Sequence, residues 1–184
     1  NNQGITLVSY KKNEGKGYAV RRGVAKARGQ WILFCDIDLS VDINHYDKFA
    51  KKLISKPLIL IASRRVAGAK ILNRQAKTRE ILGQMYTKIT RLVLATDCHD
   101  FTCGFKVFDR SSAKLIFKKQ KINRWGFDSE IIFLASKYNI PIVEVPVSWK
   151  NAKHSKVRFP QDIMRSFFEL IQVRANNHKG LYER

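Results

Sequence analysis

Two aspartates one residue apart close the hydrophobic run Trp31-Ile-Leu-Phe-Cys-Asp36-Ile-Asp38-Leu-Ser40. A short continuous apolar run fits a buried strand, and open α/β sheets bind ligands beyond the carboxyl ends of their strands. One or two carboxylates at such a place, completed by substrate phosphates, make the usual setting for Mg²⁺. The bound ion would neutralise a diphosphate leaving group. Asp36 and Asp38 are therefore the candidate metal ligands. The same spacing suits a second chemistry, in which Asp36 attacks phosphorus, and a third reading in which both acids decorate a solvated turn. The phosphorus-attacking scheme needs a later acidic pair after an apolar strand. Asp97 and Asp100 follow a helical pattern instead.

Other residues gather around this motif in order along the chain. Lys16 stands between Gly15 and Gly17 ahead of a helical pattern, where backbone amides and an ammonium suit a donor phosphate or ribose. With no third glycine and no following Lys-Ser/Thr, it makes neither a dinucleotide fingerprint nor a Walker loop. Asp128 and Glu130 open a helix, where acids favour the N-terminus for structural reasons alone. The four histidines, His45, His99, His154 and His178, have no metal-ligand spacing.

Lys and Arg number 35 against 15 Asp and Glu, a formal net charge of +20 over 184 residues. So basic a chain calls for an anionic partner such as phosphorylated ligands, anionic lipid or nucleic acid. Aromatic RNA-binding signatures are missing, so nucleic acid is not expected, although a basic nucleic-acid module stands as the binding-class alternative. The three cysteines, Cys35, Cys98 and Cys103, are odd in number and form no CxxC pair, which points away from a disulfide framework or a zinc site. No apolar run approaches the length that spans a bilayer.

The elements that must position these residues alternate. The pattern predicts strands at Ile5–Tyr10, Trp31–Cys35, Leu58–Ala62, Gly104–Phe108 and Ile142–Trp149. It predicts helices at Gly17–Arg28, Ile43–Ile54, Leu72–Ala95, Phe127–Tyr138 and from Pro160 to Val173. Alternating β and α elements imply a mostly parallel sheet with helices on both faces.

Six stretches in order carry a resemblance: Asn13-Glu-Gly-Lys-Gly-Tyr-Ala-Val-Arg-Arg-Gly23, the Asp36-Ile-Asp38 motif, Ala62-Ser-Arg64 with Arg79 beyond it, Asp100-Phe-Thr-Cys-Gly-Phe-Lys106, Arg124-Trp-Gly-Phe-Asp128-Ser-Glu130, and Glu144-Val-Pro-Val-Ser-Trp149 followed by Ser155-Lys156-Val157. From about Gly4 to about Val173 the chain resembles the dolichyl-phosphate glucosyl- and mannosyltransferases of glycosyltransferase family 2. The glucosyl branch is the nearer pattern, on the Asp100–Lys106 and Arg124–Asp128 stretches. Haloacid-dehalogenase-type phosphatases share only the aspartate pair and a serine such as Ser63. Ile37 departs from the alanine usual between the two aspartates.

The resemblance implies a GT-A, Rossmann-like fold and one catalytic domain over residues 1–184. That domain would be N-terminally incomplete, without the strand whose Pro-x-Tyr-Asn-Glu-like motif helps hold the nucleotide base. It implies inverting transfer of a hexose, glucose or mannose, from UDP-glucose or GDP-mannose to a polyprenyl phosphate, with Mg²⁺ or Mn²⁺ on Asp38 and Asp36. The cytoplasmic face of an anionic membrane would be the setting, with this chain peripheral to it. Lys16 would meet the donor, and Arg64 and Arg79 match arginines that hold the lipid phosphate. Asp100 matches an acid near the acceptor that orients the nucleophile or acts as a base; capping the turn before Gly104 is its structural alternative. Lys106 and the basic stretch 150–158 would close over the diphosphate or meet lipid headgroups.

Overall fold

The computed structural model describes residues 4–53, 57–151 and 161–183. Along the chain come α1 (Lys16–Lys26), β1 (Trp31–Cys35), a 3₁₀ turn (Ile43–His45) running into α2 (Tyr46–Ala50), β2 (Ile59–Ser63), β3 (Lys70–Asn73) and α3 (Lys77–Leu94). Then follow β4 (Phe105–Asp109), α4 (Arg110–Lys119), α5 (Phe127–Lys137), β5 (Ile142–Pro146), β6 (Ser148–Lys150) and α6 (Gln161–His178).

The main sheet has the order β1-β4-β2-β5, and a small parallel pair joins β3 to β6. β1, β2 and β5 run in one direction, and β4 lies antiparallel between β1 and β2. Register pairs Cys35 with Phe105, Ile61 with Lys106, and Ser63 with Pro146. β4 therefore begins at the edge of the sheet where β1, β2 and β5 end. The segment leading into it, Asp100–Gly104, is delivered to the functional edge.

Alternation along each strand sorts the side chains into two cores. Ile32, Ile59, Ile61 and Phe108 face the layer of longer helices, packing with Val24, Leu94, Ile116, Phe127, Ile131 and Leu170. Leu60, Ala62, Phe105, Val107 and Val145 face the other way, against Val41, Phe49 of α2 and Trp149. Lys106 falls on the helical face by the same alternation. It is fully buried, with its Nζ 2.5 Å from Asp128 Oδ1 and donating to the Cys103 carbonyl at 2.8 Å. The expectation that Lys106 closes over a diphosphate or meets lipid is corrected by this burial.

Several boundaries differ from the sequence pattern. Ile5–Tyr10 pairs with no strand among the described residues, leaving Ile5 and Leu7 exposed. Leu72 and Asn73 belong to β3 rather than to the helix. The run Ile142–Trp149 divides at Val147, with its first part in the main sheet and its second on β3. Helix α4 was not anticipated; Asp109 caps it, accepting the N–H groups of Ser111 at 2.9 Å and Ser112 at 3.1 Å. Ile54 and Pro160 lie outside the described residues.

Glu130 ties the helical layer together. Its carboxylate accepts the backbone N–H groups of Lys121 at 2.7 Å and Ile122 at 2.8 Å, and the hydroxyl of buried Tyr182 at 2.5 Å. These bonds pin the turn before α5 and the Tyr182 segment to one side chain. A hydrogen bond to a charged group contributes about 1.5–3 kcal/mol, and a buried donor left alone costs a similar amount. Glu130→Ala is expected to lower the unfolding free energy by about 3 kcal/mol or more, and Glu130→Gln by less because it keeps one acceptor oxygen. Urea denaturation midpoints check both.

Candidate active site

The end of β1 holds its two aspartates in unlike settings. Asp36 N–H donates to the Gly104 carbonyl at 2.8 Å, and the Asp36 carboxylate lies directly over the Gly104 Cα. A Cβ on residue 104 would stand 2.0 Å from Asp36 Oδ2. Lys16 Nζ donates to the same Oδ2 at 2.9 Å. Burial pulls the Lys16 pKa down, but the Asp128 and Asp36 carboxylates outweigh it and hold it above its ordinary value, so the ammonium persists. Burial lifts Asp36, and Lys16 offsets that only in part.

Lys16 reaches Asp36 because α1 starts hard against the turn before α5. Gly15 has φ +106°, and a Cβ there would meet the Asn123 carbonyl at 2.5 Å. Both the left-handed backbone and the close approach demand glycine. Phe34 stands between the two lysines, its ring centroid 5.4 Å from Lys16 Nζ and 5.8 Å from Lys106 Nζ. Lys16–Asp36 and Lys106–Asp128 thus form two neighbouring pairs behind the strand end.

Asp38 points the other way. It is exposed, and its Oδ1 accepts the Ser40 N–H at 3.0 Å, closing a turn in which Leu39 takes φ +48°. Ile37, between the two acids, is fully exposed. Among the described residues no three His, Cys, Asp or Glu side chains converge. A divalent ion here would rest on Asp38, with Asp36 nearby but neutralised by Lys16. It would take its other ligands from phosphate and water, a donor set that fits Mg²⁺ or Mn²⁺.

The end of β2 carries the opposite charge. Arg64 donates from Nε to Asp100 Oδ2 and from one terminal nitrogen to Oδ1, both at 2.7 Å, and its backbone N–H adds a third bond to Oδ2 at 2.9 Å. The same terminal nitrogen reaches Thr102 Oγ1 at 2.9 Å, and the guanidinium lies 5.3 Å from the Trp149 ring centroid. Burial works against the Asp100 carboxylate, yet Arg64 outweighs it and keeps the pKa below the usual range. Asp100 and Arg64 therefore hold each other. Arg79 is half-buried in the first turn of α3. His99 meets Glu144, with Nδ1 at 2.7 Å from Oε2, and His45 Nε2 accepts the Ser148 N–H at 2.8 Å. Lys150 pairs in β6, and residues 152–160 of the basic stretch lie outside the described residues.

Residues 1–117 match the model of glycosyl transferase family 2. The chain belongs to this family. A dolichyl-phosphate beta-glucosyltransferase of Trichomonas vaginalis is 32% identical over 97% of this chain and 54% of its own length. One from Dictyostelium discoideum is 32% identical over 97% and 56%, and one from Homo sapiens 31% over 83% and 48%. The chain spans about half the length of these relatives. Among solved structures, mannosyl-3-phosphoglycerate synthase of Rubrobacter xylanophilus superposes with TM-score 0.60 at 16% identity, covering 93% of this chain and 54% of that one. Glucosyl-3-phosphoglycerate synthase of Mycobacterium tuberculosis, solved with Mn²⁺, UDP-glucose and phosphoglyceric acid, gives 0.56 at 16%, covering 90% and 56%. The fold is GT-A, as the motif order implied. Membership of this family sets aside the phosphatase reading.

Two residues at this edge escaped the sequence reading. Arg65 was hidden in a doubled arginine, and Gly104 looked like a turn residue although its missing side chain is what admits Asp36. Gly104→Ala is expected to cost about 1–3 kcal/mol of stability, as overpacking does, and to break the Lys16–Asp36 pair. Gly23→Ala is the matched control. A Cβ there meets nothing within 4 Å, and removing a glycine from a helix interior stabilises by about 0.5–1 kcal/mol. Guanidinium denaturation of the two variants should move in opposite directions.

Proposed function

We propose that this chain carries the machinery for moving glucose from UDP-glucose to a dolichyl-type polyprenyl phosphate, with inversion, at a membrane surface. One observation carries the reading: an exposed acid at the end of β1 and a cluster of arginines at the end of β2 lie along one sheet edge. The first suits a metal-bound diphosphate and the second a phosphate monoester. The relatives' names support glucose and a dolichyl phosphate acceptor. A neighbour of the same fold holds Mn²⁺ with UDP-glucose. GDP-mannose has no comparable support.

The chemistry asks little of the protein beyond placement. A phosphate monoester has its second pKa near 6, so the acceptor is largely a dianion at neutral pH and needs no strong base. Asp100, gripped by Arg64, positions that arginine rather than taking a proton. Arg64 and Arg79 build the basic wall of the acceptor site. Lys16 stays protonated beside the donor diphosphate and holds Asp36 in place. A divalent ion on Asp38 would supply charge neutralisation on the leaving nucleoside diphosphate. A single displacement by lipid phosphate oxygen at the anomeric carbon inverts its configuration.

Asp38→Asn is expected to reduce glucose transfer by more than tenfold while far-UV circular dichroism stays unchanged. Transfer is measured with UDP-glucose, a short-chain polyprenyl phosphate and saturating Mg²⁺ or Mn²⁺. Retention of more than a tenth of the wild-type rate would remove Asp38 from the metal role. A donor screen in the same assay tests the sugar, and a preference for GDP-mannose would overturn glucose.

The membrane part of the reading rests on α3 and α6, which pack side by side through Tyr86 and Phe167, ring centroids 5.4 Å apart. Their outer faces expose Ile81, Met85 and Leu92 on one helix and Met164, Phe168 and Ile171 on the other. Lys88, Arg91 and Arg165 accompany these stripes. Apolar stripes with basic flanks suit the headgroup boundary of an anionic bilayer, and the +20 charge favours that surface. No helix among the described residues is long and apolar enough to cross a membrane. Co-sedimentation with vesicles containing phosphatidylserine is expected at low salt and should weaken by 1 M salt, where the Debye length falls from about 10 Å at 0.1 M to about 3 Å. Absence of binding at low salt would overturn attachment through these helices.

A further inference from the structure

We propose that Glu169 of α6 is a positioning residue for Lys16, the ammonium of the donor side, and acts through the segment 120–126 that lies between them. This rests on the donor reading above and adds to it the part of the fold that sets where Lys16 stands. The first turn of α1 is docked on that segment. Tyr18 N–H donates to the Asn123 carbonyl at 3.0 Å, and Gln120 Nε2 donates to the Gly17 carbonyl at 3.0 Å. Arg21 returns two bonds of 2.9 Å, to the Gln120 carbonyl and to Asn123 Oδ1. A Cβ on Gly17 would stand 2.6 Å from Phe127 Cβ, so the helix is pressed onto the start of α5. Lys16 Nζ sits among three rings, 5.4 Å from the Phe34 centroid, 5.5 Å from that of Trp125 and 5.8 Å from that of Phe127. Trp125 belongs to the segment and Phe127 follows it. A displacement of 120–126 therefore carries Lys16 and its surroundings with it.

On its far side the segment is tied to α6. Gly126 N–H donates to Glu169 Oε2 at 2.7 Å, and a Cβ on residue 126 would stand 2.6 Å from Glu169 Cβ. Glu169 is buried, with Arg165 Nε 3.4 Å from its other oxygen. Beside this contact the segment faces an open polar cavity of about 340 Å³, lined by Glu14, Asn123, Arg124, Arg165 and Gln172. Side chains do not interdigitate across that gap, so the hydrogen bond takes the place of packing. An acid at the first turn of α5 also suits the helix dipole, a purely structural benefit. The positional effect is separate. The bond sets where Gly126 lies, Gly126 follows Trp125, and Trp125 forms one wall around Lys16. Misplacing a group at a reaction site by about 1 Å costs up to about 100-fold, even when the cause is distant.

The test follows Lys16 directly. Reductive methylation with ¹³C gives each reacting lysine an NMR signal, and ring currents from Phe34, Trp125 and Phe127 shift that of Lys16 away from the exposed lysines; Lys16→Arg assigns it. In Glu169→Ala the Lys16 signal is expected to move toward the exposed-lysine position. In Glu169→Gln, whose amide oxygen still accepts from Gly126, it should stay. Calorimetric binding of UDP-glucose with Mn²⁺ to unmodified protein should weaken about 10-fold in Glu169→Ala, the size of one lost charged hydrogen bond, and by less than twofold in Glu169→Gln. Lys16→Met should weaken it too, and adding Glu169→Ala to Lys16→Met should change it no further, because both act through one ammonium. A merely structural role would lower the urea midpoint without producing that non-additivity. Should Glu169→Ala fail to fold, Glu169→Asp, one methylene short of Gly126, carries the same two readouts. An unmoved Lys16 signal in these variants overturns the positioning role whatever happens to the donor. So does equal weakening by Glu169→Ala in the presence and absence of Lys16. If the Lys16 signal moves as expected but wild-type protein does not bind UDP-glucose, the donor reading falls while the link from Glu169 to Lys16 stands.

Discussion

The bidentate pair between Arg64 and buried Asp100 fixes the geometry on which the site depends. A carboxylate with 1% exposure survives only if its charge is answered at contact distance. Arg64 answers it with two side-chain bonds and one backbone bond. Because Asp100 precedes the antiparallel strand β4 and Arg64 directly follows β2, the pair clamps the approach to one strand to the exit of the other. Four residues later the same segment presents Gly104 under Asp36. One short stretch therefore locates both the basic and the acidic parts of the edge.

Behind that edge the charges are arranged in couples. Lys16 faces Asp36, and Lys106 faces Asp128, with the Phe34 ring between the ammoniums. Such pairs are poor sources of net stability, because desolvating two ions offsets most of their attraction. Their value here is positional: removing either partner leaves a stranded charge, so each side chain is confined to one arrangement. α1, β1, β4 and α5 each contribute one member, and these four elements cannot shift independently.

The sequence made part of this legible for definite reasons. Trp31–Cys35 and Leu58–Ala62 are unbroken apolar runs, and buried strands need little more to declare themselves. The aspartate pair marked a strand end because two acids do not sit inside a sheet. What failed depended on contacts distant in sequence. Lys106 looked like a surface cation, since nothing local reveals that Asp128, 22 residues on, lies under it. Arg64 and Asp100 were each identified, but 36 residues separate them, and their mutual grip changes the role of both. Helix α4 was lost because the strand Phe105–Asp109 runs into it without a break, and only the Asp109 cap marks the change. Ile5–Tyr10 has the alternation of a strand, yet pattern alone supplies no neighbour for it to pair with.

Pairing also explains which groups are left to meet ligands. Along the described edge, Lys16, Asp36, Lys106, Asp128, Arg64 and Asp100 form three neutral couples. Asp38 and Arg65 take part in no ion pair among the described residues. The first is an exposed acid on a turn outside β1, and the second a cation outside β2. The paired charges cancel only locally, within a chain whose net charge is +20. On the proposed reading, a metal-bearing diphosphate at Asp38 and a phosphate monoester at the arginines beyond β2 would lie on either side of the β4 segment, since β4 stands between β1 and β2 in the sheet.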